Sequence, residues 1–242
     1  MTAMAKTVQE LRKEVVAYMR SMSEVKWTPE DTVDLLFINK KLIYNKGETY
    51  YGVIYNIQRG VDRETFCSYL EDGVYKGPYT KKEIPGNHCT SSILISWRKL
   101  GDTNTAGWTA NMMPQCKTGI LPLGDYIWLE DDKTTIQMVE RTDKNVVLEA
   151  YTLMQEGDAV LYCMGPTGHA RMIVENHVVR NEDGTINPDE SYVITIEQTN
   201  SFFKDALEKG INTTWYVDRK YTYAILHEKK YVPITVGLFQ EK

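Results

Sequence analysis

The chain has 242 residues, 42% hydrophobic, 25% charged and 11% aromatic, a composition that supports one well-buried domain with a modest insertion and excludes a largely disordered, collagen-like or coiled-coil protein. Lys and Arg number 28 against 33 Asp and Glu, a net charge of −5, which argues against a phosphate-tracking surface and so against nucleic acid as the principal partner. Four cysteines without a C-x-x-C pair exclude a disulfide scaffold, a zinc ribbon and a redox dithiol.

No apolar run reaches the length of a membrane span. The first 22 residues, MTAMAKTVQELRKEVVAYMRSM, spread their charges through an amphipathic pattern and do not read as a signal peptide. The expectation is a cytoplasmic chain, or an exported one whose signal has been removed. In that segment Leu11, Val15, Tyr18/Met19 and Met22 recur at helical spacing, and Thr7 to Glu10 forms a capping box, so a helix is expected with Arg12, Lys13, Glu14 and Arg20 mostly on its outer face. Residues 39–47 and 50–55 read as irregular or extended. A second helix is expected from about Asn87 to Leu100, ended by Gly101.

Residues 108–132 carry Gly107 just before them and then Pro114, Gly119, Pro122 and Gly124, which is loop chemistry with one short strand at Asp125–Leu129. A third helix is expected over Lys144–Gln155. After Gly157-Asp158 the runs Ala159–Met164, Ala170–Val174, Tyr192–Ile196, Tyr221–Leu226 and Tyr231–Val236 are short, β-branched or aromatic and separated by turn residues, the pattern of an antiparallel meander. Helices first and sheet second, with no linker between them, predict one α+β domain over 1–242. Within it, 1–50 is read as a helical extension and 101–140 as an enlarged loop.

Two residues stand out chemically. Cys89 follows Pro85-Gly-Asn-His and opens the run Ser91-Ser-Ile-Leu-Ile-Ser-Trp97, so it sits at a helix amino terminus, where unpaired N–H groups and the helix dipole favour a thiolate. His169 follows the hairpin turn Gly165-Pro-Thr-Gly168 and begins the next strand, which suits a general base that withdraws a thiol proton and later returns it. Each residue taken alone is more often structural. His88, His177 and His227 have no motif around them and are assigned to surface or packing roles, as Cys67, Cys116 and Cys163 are to packing. The tryptophans are read as core or cleft walls. Asn181 to Pro188 lacks the oxygen-ligand spacing of a calcium loop, and no metal or cofactor is assigned.

Together, Cys89 at a helix start, the Gly157-Asp158 turn into an apolar strand and Gly168-His169 opening the following strand resemble the papain-like cell-wall cysteine peptidases of the NlpC type. The order of these motifs carries the resemblance, which spans roughly Tyr50 to Gln198. It implies a papain-like fold, a catalytic Cys89 and His169, and a tyrosine lining the site at Tyr55, since Tyr51-Gly-Val-Ile-Tyr55 is similar to the family's Gly-x-Pro-Tyr segment. The third residue should come from the strand ending Ile-Glu-Gln-Thr199, where Glu197 and Gln198 point to opposite faces. Glu197 is preferred because the family's third residue directly follows an apolar run, with Gln198 as the alternative.

Donors for an oxyanion are expected from the Cys89 N–H and the Tyr55 hydroxyl, with Ser91 and Arg171 as further substrate contacts. The chain departs from the family in carrying His88 where an acid usually precedes the cysteine, Thr90-Ser91 where the family has Ser-Gly, and Arg171 where a glycine allows close approach. The implied function is cleavage of an amide bond in a bacterial cell-wall peptide. The alternatives are a catalytically degenerate peptide- or glycan-binding module on the same fold, and a papain-like thioesterase or acyltransferase.

Overall fold

A computed structural model describes residues 6–37, 40–58, 60–101, 108–116 and 118–240. Helix α1 (Val8–Ser23) starts where expected: the Glu10 amide donates to the Thr7 hydroxyl at 3.2 Å, and the Thr7 amide donates to the Glu10 carboxylate at 2.8 Å. This helix is part of the core. Val15, Val16, Met19 and Met22 are buried, each worth about 1.5–3 kcal/mol of hydrophobic burial.

Beyond α1, the remainder of the segment expected as a helical extension is strand: β1 (Lys26–Pro29), the β2–β3 hairpin (Val33–Phe37 and Lys40–Tyr44) and β4 (Tyr50–Tyr51). Short helix α2 (Arg63–Cys67) and strands β5 (Leu70–Glu71) and β6 (Val74–Tyr75) follow. A small mixed sheet forms in the order β11-β4-β1-β6-β5, in which β11 is Asn212–Thr213. Trp27 is its centre, with the rings of Tyr44, Tyr50, Phe66 and Tyr75 all within 5.4 to 5.7 Å of it.

Helix α3 (Cys89–Arg98) matches the second expected helix, and its buried face of Ile93, Leu94 and Trp97 fixes it to the core. The segment expected as an enlarged loop is more ordered than its glycines and prolines suggest. It contains 3-10 turns at Thr109–Met112 and Pro114–Cys116, edge strand β7 (Ile120–Pro122) and helix α4 (Thr135–Arg141). No strand forms at Asp125–Leu129; the Leu129 amide donates to Asp132, whose carboxylate is held by Arg141 at 2.8 and 2.9 Å.

Helix α5 (Lys144–Thr152) precedes the main sheet, built from β8 (Ala159–Met164), β9 (Thr167–His177), β10 (Tyr192–Gln198), β12 (Trp215–Thr222) and β13 (Val232–Val236), with α6 (Lys204–Leu207) between β10 and β11. The sheet order is β12-β10-β9-β8-β13-β7, and every pairing is antiparallel. The run Tyr221–Leu226, expected as a strand, straddles a junction instead. β12 ends at Thr222, whose hydroxyl caps helix α7 (Tyr223–Glu228) by accepting from the Ile225 amide. The chain is therefore α+β, with α3 packed on β9 and β10. That contact brings the helix amino terminus to the sheet.

Arg12 departs from its expected place on the outer face of α1. It is buried, donating to Asp158 at 2.9 Å and to the Glu156 carbonyl at 2.9 Å, with its guanidinium 4.3 Å from the Phe239 ring centre. Asp158 also accepts from Thr235 Oγ1 at 2.6 Å and from the Gln155 amide at 2.8 Å. Burial pushes its carboxyl upward in pKa despite these partners. The Gly157-Asp158 turn thus anchors α1 to the strand pair β8–β13. Among the described residues, no helix is long and apolar enough to cross a membrane.

Candidate active site

Cys89 occupies the first turn of α3, where backbone N–H groups have no intrahelical acceptor. The helix start is fixed by Ser91, whose hydroxyl accepts from the His88 amide at 2.8 Å. Ser91 is therefore a cap. It faces a neighbouring cavity with Leu94, Ile95 and Arg98, and it is not among the residues lining the cavities at Cys89.

The two-residue turn Gly165-Pro166 joins β8 to β9, with Gly165 at φ +69°, the conformation a tight hairpin places at its first central position. In this register His169 pairs with Tyr162. His169 and Arg171, two apart on β9, share a face, and both reach Glu197 on β10. His169 Nε2 bonds Glu197 Oε2, Arg171 Nε lies 3.0 Å from that same oxygen, and the Tyr221 hydroxyl donates to Oε1. The Glu197 side chain is only 1% exposed.

Gln198 turns the other way. Its Oε1 accepts from Ser92 at 3.1 Å and its Nε2 donates to the Val53 carbonyl at 2.7 Å, all buried. Of the two candidates for the third residue, the carboxylate is therefore at the imidazole, and the amide ties α3 to the 53–55 segment. Arg171 lines a cavity that also borders Cys89. Its guanidinium lies between the rings of Tyr221 and Tyr231, at 4.2 and 4.5 Å, and supports the buried carboxylate.

With Nε2 engaged by Glu197, His169 keeps its other ring nitrogen for a partner, and Cys89 and His169 interact electrostatically. Burial alone would raise the thiol pKa, but the His169 charge, its hydrogen bond and a hydrogen bond with His88 outweigh this and bring Cys89 down to about 5. For His169 burial works against the charged ring, yet the thiolate and Glu197 raise it to about 9. Glu197 is driven the same way: burial would raise it, and His169, Arg171 and Tyr221 together hold it at about 2. A thiolate–imidazolium pair backed by a carboxylate is the favoured state near neutrality.

His88, read from the sequence as a surface or packing residue, belongs to the site. It is buried, bonded through Nδ1 with the Thr90 hydroxyl at 3.0 Å and stacked on Trp108 at 5.2 Å between centres. Its adjacency to Cys89 was the available signal. Cys116 also departs from its packing assignment: it is exposed, whereas Cys163 is buried and Cys67 half-buried, and all four thiols are free.

Two cavities flank the thiol. One, of about 200 Å³, is bounded by His88, Trp108, Thr109 and Pro166–Gly168; the other, of about 530 Å³, runs past His169 and Glu197 to Thr199–Ser201, Tyr216 and Arg219. Tyr55 lines both. It is placed by a parallel bridge to Asn87 that depends on close backbone approach: a Cβ on Gly86 would lie 2.6 Å from the Ile54 carbonyl oxygen. Its phenol is pushed up in pKa by burial and by the neighbouring Cys89. Cys89, His169, Glu197 and Tyr55 thus converge on one cleft, whose wall Arg171 and Tyr221 share. Compared with family models, curated proteins and solved structures, the chain gives no match to any of them.

Proposed function

We propose that this protein is a cysteine hydrolase with a papain-like arrangement that cleaves an amide bond, with Cys89 as nucleophile, His169 as the proton carrier and Glu197 as the residue that orients the ring. The observation that carries the reading is the pairing of a thiol at a helix amino terminus with an imidazole whose far nitrogen is held by a buried carboxylate.

In this mechanism the thiolate attacks the substrate carbonyl. The Cys89 N–H and the Tyr55 hydroxyl stabilise the oxyanion, and the imidazolium protonates the leaving amine. Neutral His169 then takes a proton from water as the water attacks the thioester, and the acid product leaves with Cys89 restored. Engagement of Glu197 on both oxygens holds the imidazole in one orientation through both half-reactions. The resemblance of the motif order to the NlpC-type peptidases points to a bacterial cell-wall peptide as substrate, by analogy alone.

A catalytically degenerate module is disfavoured by Arg171, whose guanidinium supports the Glu197 carboxylate that engages His169. The test is hydrolysis of cell-wall peptides by purified protein and by Cys89→Ala. Release of new amino groups by the parent and none by the folded variant is the expected result. A variant that cleaves at the parent rate ends the proposal.

A further inference from the structure

Strand β12 contains an irregularity that changes which residues face the cleft. Opposite β10, Thr195 pairs with Arg219 and Glu197 pairs with Tyr216, so Val217 and Asp218 together oppose the single residue Ile196. Asp218 adopts φ +56°, and its carboxylate is clamped by Arg20 of α1 at 2.6 and 2.9 Å. In a regular strand Tyr216 and Arg219 would point to opposite faces. The extra residue reverses the alternation, so that Tyr216, Arg219 and Tyr221 all line the larger cavity beside Cys89.

Arg219 is exposed there, with its guanidinium 4.5 Å from the Tyr216 ring centre and 5.2 Å from that of Tyr221. Stacking of this kind holds the side chain while leaving its N–H edge free. The other charges of the cavity compensate one another: Cys89 with His169, and Glu197 with Arg171. Among the described residues no carboxylate lies within ion-pair distance of Arg219. An acidic protein thus presents one uncompensated cation inside its cleft.

We infer that Arg219 binds a carboxylate of the substrate, on the Thr199–Tyr216 side of the thiol, so that the hydrolase acts on peptides bearing a free acid group near the scissile bond. This rests on the thiol-hydrolase reading and gives it a specificity residue. A planar carboxylate matches the fork of a single stacked guanidinium. The hydroxyls of Thr199 and Ser201 at the same end of the cavity offer a polar wall and no second cation.

The experiment uses Cys89 as its own reporter. Iodoacetyl-glycine, iodoacetyl-β-alanine and iodoacetyl-γ-aminobutyrate, each with its carboxamide counterpart, set a carboxylate at increasing reach from the sulfur. The rate of Cys89 alkylation by each is compared with that by iodoacetamide in the parent, R219Q and R219K. At the best spacing the acid should react about tenfold or more faster than its amide in the parent, the scale of a charge-assisted hydrogen bond. In R219Q the two should fall within about twofold of each other, with the iodoacetamide rate unchanged, and R219K should keep part of the preference. Equal rates for acid and amide in the parent, or a preference that survives in R219Q, would overturn the inference alone. A Cys89 unreactive even to iodoacetamide would overturn the hydrolase reading and this inference with it.

Discussion

Arg171 Nε lies 3.0 Å from Oε2 of Glu197, the oxygen that His169 also engages. A carboxylate buried this deeply stays ionised because His169, Arg171 and Tyr221 face it, and its charge adds to that of the Cys89 thiolate in keeping the imidazole protonated. Removing that charge has a defined sign. In E197Q the imidazolium loses its anionic partner, so the His169 pKa falls from about 9. The pH window for the ion pair should therefore narrow from its alkaline side. NMR titration of the His169 imidazole reads that limb directly, and a His169 pKa in E197Q that coincides with the parent's would refute the coupling.

Reactivity among the four cysteines should separate most clearly in mild acid. Burial raises the thiol pKa of Cys67 and Cys163, and Cys116, though exposed, has no imidazolium beside it in the described structure. At pH 6 iodoacetamide should therefore label Cys89 first. Peptide mapping of the alkylated protein gives the order, and Cys116 labelled ahead of Cys89 at pH 6 would count against an activated thiol.

Gln198 and Glu197 are adjacent yet should fail differently. In Q198A the Val53 carbonyl and the Ser92 hydroxyl each lose one of two buried partners, keeping Trp215 Nε1 and the His88 carbonyl respectively, at a cost of about 0.5–1.5 kcal/mol per hydrogen bond lost. The melting temperature should drop while turnover per folded molecule persists. E197A should instead abolish turnover. If Q198A eliminated activity in protein that remains folded, and E197A did not, the roles would be exchanged.

Much of the site was legible because its chemistry is local. A cysteine before an apolar helical run and a histidine after a Gly-Pro turn announce themselves within ten residues, and the strands from Ala159 to Met164 and from Tyr192 onward follow their β-branched pattern. What escaped is non-local. Tyr221 reaches Glu197 from the next strand over, and its run was misread because the residues after Thr222 carry the same apolar character while following a helix cap. Arg171 reads only as a departure from glycine because nothing in the local sequence says that a carboxylate on the adjacent strand needs a cation. The order inside 101–140 comes from pairing with β13 and from the Asp132–Arg141 bond, neither of which a run of glycines and prolines reveals.

Arg12 is the sharpest such case, and it yields the last prediction. Amphipathic spacing places a charged residue outside, yet this one is 4% exposed and paired with an Asp158 that is fully buried. Replacing it with methionine preserves the apolar stem and its contact with Phe239 but strands the carboxylate. A buried charge deprived of its partner costs about 3–5 kcal/mol, which is a large share of the stability of a domain of this size. The double variant R12M/D158N, which removes both charges, keeps an amide oxygen for the Gln155 N–H and lets the new amide NH2 donate to the Thr235 hydroxyl, should recover a substantial part of that loss. Urea midpoints of the three proteins decide the matter: an R12M protein as stable as the parent would mean that the pair contributes nothing, and a double variant no better than R12M would place the cost in lost packing of the arginine stem.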